Sequence, residues 1–149
     1  MKSTNILSFG TAALLLFVGI ATVIGGLDVI LDPSGESLGV SVDLLMNFPF
    51  ENFLILGIFL FTVMGITSLL VSYLTFKQHL LSGGATIVQG FIMIIWIVLQ
   101  VYWMGWLSSL QPTFLVIGFI EIIIGYVLHS RNLFYFQKFW NHFNHNHFI

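Results

Sequence analysis

The stretch PTFLVIGFIEIIIGYVL, residues 112–128, decides how this chain folds and where its chemistry is to be sought. It is an apolar run close to the ~20 residues that a helix needs to cross a bilayer, and it holds a single charged side chain, Glu121. Three comparable runs precede it, at about 6–26, 53–75 and 84–106, and the fourth extends to about 129. None of the others contains an Asp, Glu, Lys or Arg. A carboxyl group near the middle of hydrocarbon costs several kcal/mol unless it is protonated or paired, so Glu121 is the first candidate for a functional site. The competing reading makes it a buried acid that ties helices together by a hydrogen bond.

Composition agrees with the four runs. Hydrophobic residues make up 58% of the chain and charged residues 7%, and the mean hydropathy is +1.02. A soluble globule needs far more polar surface than this. The spans consume most of the 149 residues, so one integral membrane domain is expected, with no soluble catalytic module. The expected architecture is an all-α, four-transmembrane-helix, up-down antiparallel bundle. A long outer loop joins the first two helices, and a C-terminal amphipathic tail over 131–149 forms an interfacial helix. The basic residues Lys2, Lys77, Arg131 and Lys138 fall at the amino terminus, between the second and third spans, and in the tail. Asp28, Asp32, Glu36, Asp43 and Glu51 gather in the first connection. Lys and Arg are retained on the cytoplasmic side, so both termini are expected inside a plasma membrane and the acidic loop outside. The first apolar run is longer than the core of a secretory signal and reads as an uncleaved anchor.

Each span carries a stripe of small or polar residues, as close packing without a hydrophobic drive requires. These are Ser8, Ala12, Gly19, Thr22 and Gly26; Gly57, Gly65, Ser68 and Ser72; Gln89, Trp96, Gln100 and Trp103; and Gly118, Glu121 and Gly125. The steps of seven, four and three from Gln89 to Trp103 follow the helical period. Counting from Pro112 at 1.5 Å per residue places Glu121 ~13 Å below the outer end of its helix. Gln100 and Trp96 are expected as its nearest polar partners, with Thr62 and Thr22 as candidates from the other helices. A ligand-binding or enzymatic role predicts an internal cavity touching Glu121, whereas a packing role predicts none.

The first connection, from Leu27 to about Asn52, exceeds a hairpin turn and reads as a lid across the outer end. Asp32-Pro33-Ser34-Gly35 fits a β-turn, a short helix is expected from Ser41 or Asp43, and Phe48-Pro49-Phe50 sets two rings at the interface. In the tail, Leu133, Phe136, Phe139, Trp140 and Phe143 share one helical face opposite Arg131, Lys138, His142 and His145. His142, His145 and His147 are close in sequence, but no carboxylate joins them, and no metal site is assigned. No phosphate loop, haem histidine pair or Ser/His/Asp set occurs within the spans, and there is no cysteine, so no cofactor is expected.

Several short motifs, taken in order, resemble a family of small four-helix bacterial membrane proteins. They are Gly25-Gly26, Asp32-Pro33-Ser34-Gly35, Phe48-Pro49-Phe50, Trp96-Ile97-Val98-Leu99-Gln100 and Gln111-Pro112, and the likeness covers about residues 10 to 125. What the resemblance implies is the topology and an interest in Asp32, Gln100 and Gln111; it carries over no catalytic residue. The candidate binding set is therefore Glu121, Gln100, Trp96, Gln89, Trp103, Gln111 and Asp32, with Glu121 the one candidate for catalysis. The expected function is that of a binding or accessory protein taking a lipid-like or small apolar ligand, or docking on a membrane protein partner or a second copy of itself. The alternatives are a lipid-modifying enzyme with Glu121 as general acid or base, and an oligomer conducting protons or ions. Its medium is the lipid bilayer, and no nucleic-acid partner is expected.

Overall fold

A computed structural model describes the backbone of residues 2–36, 39 and 51–147, and the side chains of 6–36, 39, 51–134 and 136–138. Among the described residues there is helix and no strand. Four helices are long and apolar enough to cross a membrane. They are α1 (Lys2–Leu31), α2 (Leu54–Phe76), α3 (Ser82–Met104) and α4 (Leu110–His147). Large apolar side chains such as Phe17, Ile24, Phe91, Ile95, Phe119 and Ile123 are exposed on the outside, where a bilayer would cover them. The helices bury Val18, Met64, Met93, Trp96 and Ile97 between them.

The helices associate as two close pairs. In the first, a Cβ placed on Gly26 would stand 2.5 Å from the Phe61 backbone nitrogen, one on Gly57 3.1 Å from the Gly26 carbonyl oxygen, and one on Gly19 2.7 Å from the Leu69 side chain. In the second, Gly90 would meet the Gly118 carbonyl oxygen at 2.6 Å, Gly125 the Gly83 carbonyl oxygen at 2.9 Å, and Gly83 the His129 nitrogen at 2.2 Å. Only hydrogen fits at these crossings, so backbones touch and gain dispersion contact that lipid cannot supply. Numbers rise along one helix of each pair as they fall along its neighbour. Gly83 and Gly90 face α4, a stripe not singled out in the sequence, and they leave Gln89 and Trp96 to face elsewhere.

The middle of α2 is a π-helical segment, Leu60–Ile66, between α-helical turns Leu54–Phe59 and Thr67–Phe76. The spacing of its glycines gives a reason. Gly57 and Gly65 are eight residues apart, which in an α-helix leaves them about 80° out of line; absorbing one residue in a π-turn cuts this to about 20°. Both glycines then face α1, where Gly65 packs on Val23.

Three observed boundaries differ from expectation. The first helix continues to Leu31, taking Asp28 into its last turns. The third ends at Met104 because Gly105 takes a left-handed φ of 71°. The tail forms no separate interfacial helix: α4 runs without a break for 38 residues, about 57 Å, against a ~30 Å hydrocarbon core. No Gly or Pro follows Gly125 before His147, so nothing in the backbone stops the helix. The side chains from Phe139 to the terminus, including the three tail histidines, lie outside the described residues.

At the loop end, Gly35 N–H donates to the Asp32 carbonyl at 3.2 Å, which is the expected β-turn, and Asp32 Oδ1 accepts the Ser34 hydroxyl at 2.5 Å. Phe53 N–H donates to the Pro33 carbonyl and closes the base of the loop. The expected short helix, the Phe48-Pro49-Phe50 rings and hence the lid fall outside the described residues.

Candidate functional site

Between the two glycine-packed pairs the contact is looser, and a cavity of about 360 Å³ lies there toward the loop end. All four helices line it: Thr22 and Gly25 from α1, Leu60 and Met64 from α2, Met93, Trp96, Ile97, Gln100 and Met104 from α3, and Gln111 and Phe114 from α4. Small-molecule sites begin at about 300 Å³, so the space suits a compact ligand or one lipid chain. Its walls are apolar, with three methionines that can shift to fit an irregular occupant. Trp96 is fixed by stacking on Phe59, ring centroids 4.5 Å apart and planes at 20°.

Four polar side chains touch this space, and three are engaged by backbone. Thr22 Oγ1 donates to the Val18 carbonyl at 2.8 Å. Gln111 Oε1 accepts the Leu107 N–H at 2.8 Å while its Nε2 donates to the Gly105 carbonyl at 3.2 Å, so it braces the α3–α4 connection. Ser108 Oγ accepts the Leu110 N–H at 3.2 Å. The Gln100 carboxamide makes no hydrogen bond among the described residues. It leaves a donor and an acceptor for an occupant, beside the Trp96 indole N–H, which likewise makes no hydrogen bond among the described residues. No charged side chain lines the cavity.

Glu121 is elsewhere. It is fully buried in the α3–α4 glycine seam, where a Cβ on Gly90 would lie 3.1 Å from its own Cβ. It does not line the cavity, and both carboxyl oxygens lack a hydrogen-bond partner, as does the buried Ser68 hydroxyl. The expected partners are too far along α3. Gln100 is ten residues beyond Gly90 and Trp96 six, about 15 and 9 Å at the helical rise. Counting equal distances from the 105–109 connection would have paired Glu121 with the Gln89–Met93 region instead. Thr62 and Thr22 are likewise engaged with carbonyls of their own helices.

Gln89 is the polar residue that joins the pairs. Its Oε1 accepts the Thr67 hydroxyl at 2.8 Å and its Nε2 donates to the Met64 carbonyl at 3.3 Å. Thr67 Oγ1 also contacts the Val63 carbonyl, so the amide of α3 is fastened to the end of the π segment. Met64 presents its side chain to the cavity and its carbonyl to Gln89. Among the remaining candidates, Trp103 is half-buried against Tyr102 and off the cavity, and Asp32 belongs to the loop turn. Of the sequence face Gln89, Trp96, Gln100 and Trp103, Gln89 bonds α2, Trp96 and Gln100 line the cavity, Trp103 does not, and none hydrogen-bonds Glu121. No group of three metal-ligating side chains occurs among the described residues.

Compared with known proteins, the chain matches no family model, no curated protein and no solved structure. The likeness in motif order accordingly shows no family membership, and the geometry alone carries a functional reading.

Proposed function

We propose that this chain is a plasma-membrane ligand-binding protein, an up-down bundle with both termini cytoplasmic, whose cavity between the helix pairs takes an uncharged amphipathic molecule or one lipid chain. The observation that carries it is the unengaged Gln100 carboxamide facing an apolar cavity of about 360 Å³. An apolar body satisfies the methionine, Trp96 and Phe114 walls, and one hydrogen-bonding group satisfies Gln100. A charged ligand would find no counter-ion among the lining residues and would bear the full desolvation cost. General acid or base chemistry by Glu121 gains no support, since Glu121 does not line the cavity.

The test is mass spectrometry of molecules extracted from purified protein. Gly25→Leu directs a side chain into the cavity, where the nearest atom to a Gly25 Cβ is Leu60 Cδ2 at 3.7 Å. A co-purifying compound depleted in Gly25→Leu and Gln100→Leu is expected. An identical extract from all three proteins would overturn the assignment. For orientation, Ser34→Cys should react with an impermeant maleimide on intact cells and Ser130→Cys should not; the reverse pattern inverts the topology.

The two unpartnered oxygens of Glu121 support one second reading, in which an oligomer conducts protons or ions with Glu121 as relay. That reading expects proton or cation flux in proteoliposomes that Glu121→Gln abolishes. Flux unaffected by the substitution removes Glu121 from the path.

A further inference from the structure

A second recess lies at the opposite end of the molecule, on its outer surface and separate from the central cavity. It is a groove of about 400 Å³ between α1 and α2, walled by Phe9, Leu16, Leu69, Tyr73 and Phe76. It exists because Ala12, Ala13 and Ser72 are small among large neighbours. The floor offers no free polar group, since the Ser72 hydroxyl donates to the Ala12 carbonyl at 2.7 Å. Leu69 leans on Gly19 at the deep end, and at the mouth the Phe9 and Phe76 rings meet edge to face, 5.3 Å apart. From Phe9 to Leu16 the groove follows the helix axis for about 10 Å, the direction in which a lipid chain lies.

Charge at the mouth names the kind of lipid. Lys77 directly follows Phe76, is exposed, and holds its Nζ 5.8 Å from the centroid of the Tyr73 ring that walls the groove. Five of the six carboxylates lie between residues 28 and 51 and the sixth is Glu121, so none comes from the sequence around Lys77. We propose that this groove seats one acyl chain of an anionic phospholipid whose phosphate lies at Lys77. The acyl chain covers an apolar slot that runs along the helices, and the headgroup reaches the Lys77 cation at its end. A slot of about 10 Å along the helix axis is too short for a partner helix, which would need a continuous face of several turns.

Native mass spectrometry of the full chain, titrated with phosphatidylglycerol or phosphatidylcholine, tests this. The wild type should retain one phosphatidylglycerol at concentrations where phosphatidylcholine is lost. Lys77→Gln should weaken phosphatidylglycerol about fivefold, the factor for one lysine at a membrane surface, and leave phosphatidylcholine unchanged. Ala13→Phe should fill the slot and remove retention of both lipids. Ala13 is exposed, so this variant should melt near the wild type, and the Lys77→Gln result stands even where it does not. Equal retention of the two lipids by the wild type, retention of neither, or unchanged retention by Ala13→Phe overturns the proposal.

Discussion

Inside each helix pair the backbones touch through Gly26 and Gly57 or through Gly83, Gly90, Gly118 and Gly125; between the pairs, the contacts include the Phe59–Trp96 stack and the Gln89 amide, and a cavity remains. The difference follows from residue size. Glycine brings two helices close enough for whole backbones to gain dispersion contact, with no side chain to order. Where Trp, Met, Gln and Phe meet instead, their shapes do not tile completely and a space is left. A ligand can enter only where packing is incomplete, so the seam between the pairs is where binding can happen and the glycine seams hold the walls.

The largest expected effect tests the glycine seams. Gly83→Ala puts a methyl 2.2 Å from a backbone nitrogen that no rotamer change can move, and should cost about 3 kcal/mol or more in a denaturation series. Gly10→Ala is the control, since a Cβ there meets nothing within 4 Å, and it should be neutral or slightly stabilising. Equal losses from both would remove the distinction between the seams.

The next effect probes the joint between pairs. Gln89→Leu deletes the bonds to Thr67 and the Met64 carbonyl and should cost about 1 to 2 kcal/mol, while accessibility at the Gly83 and Gly26 seams stays unchanged by hydrogen exchange. Loss of protection throughout would mean that the pairs do not stand apart.

Glu121→Met should be neutral or stabilise by about 1 kcal/mol, because it replaces a buried group lacking partners with an apolar one of similar length. Destabilisation above 2 kcal/mol would reveal a partner for the carboxyl, and would strengthen the relay reading. The smallest effect is expected at the terminal end. Asn132 Nδ2 lies 3.3 Å from the His79 and Leu80 carbonyls and from Ser82 Oγ, but it is near solvent, so Asn132→Ala should cost about 0.5 kcal/mol in the same denaturation series.

The sequence by itself determined four spans, their separation into apolar exteriors and small or polar stripes, and the Asp32–Gly35 turn. Each depends on residues acting singly or within one turn of chain: transfer to lipid is a property of a side chain, and a turn is a property of four neighbours. Gln89, Trp96, Gln100 and Trp103 were legible as one face because the helical period lines them up, whereas Gln111, on the next helix, was singled out only by the resemblance. Which neighbour that face meets was not legible, since a helix carries no mark of its partner's register. Tertiary structure decided that Gln89 bonds α2, that a π-turn brings Gly57 and Gly65 into line, and that the cavity opens between the pairs. It also decided that Glu121, the most conspicuous residue in the sequence, lies in a glycine seam away from that cavity. Contact is a property of two surfaces together, and only the folded chain brings both into place.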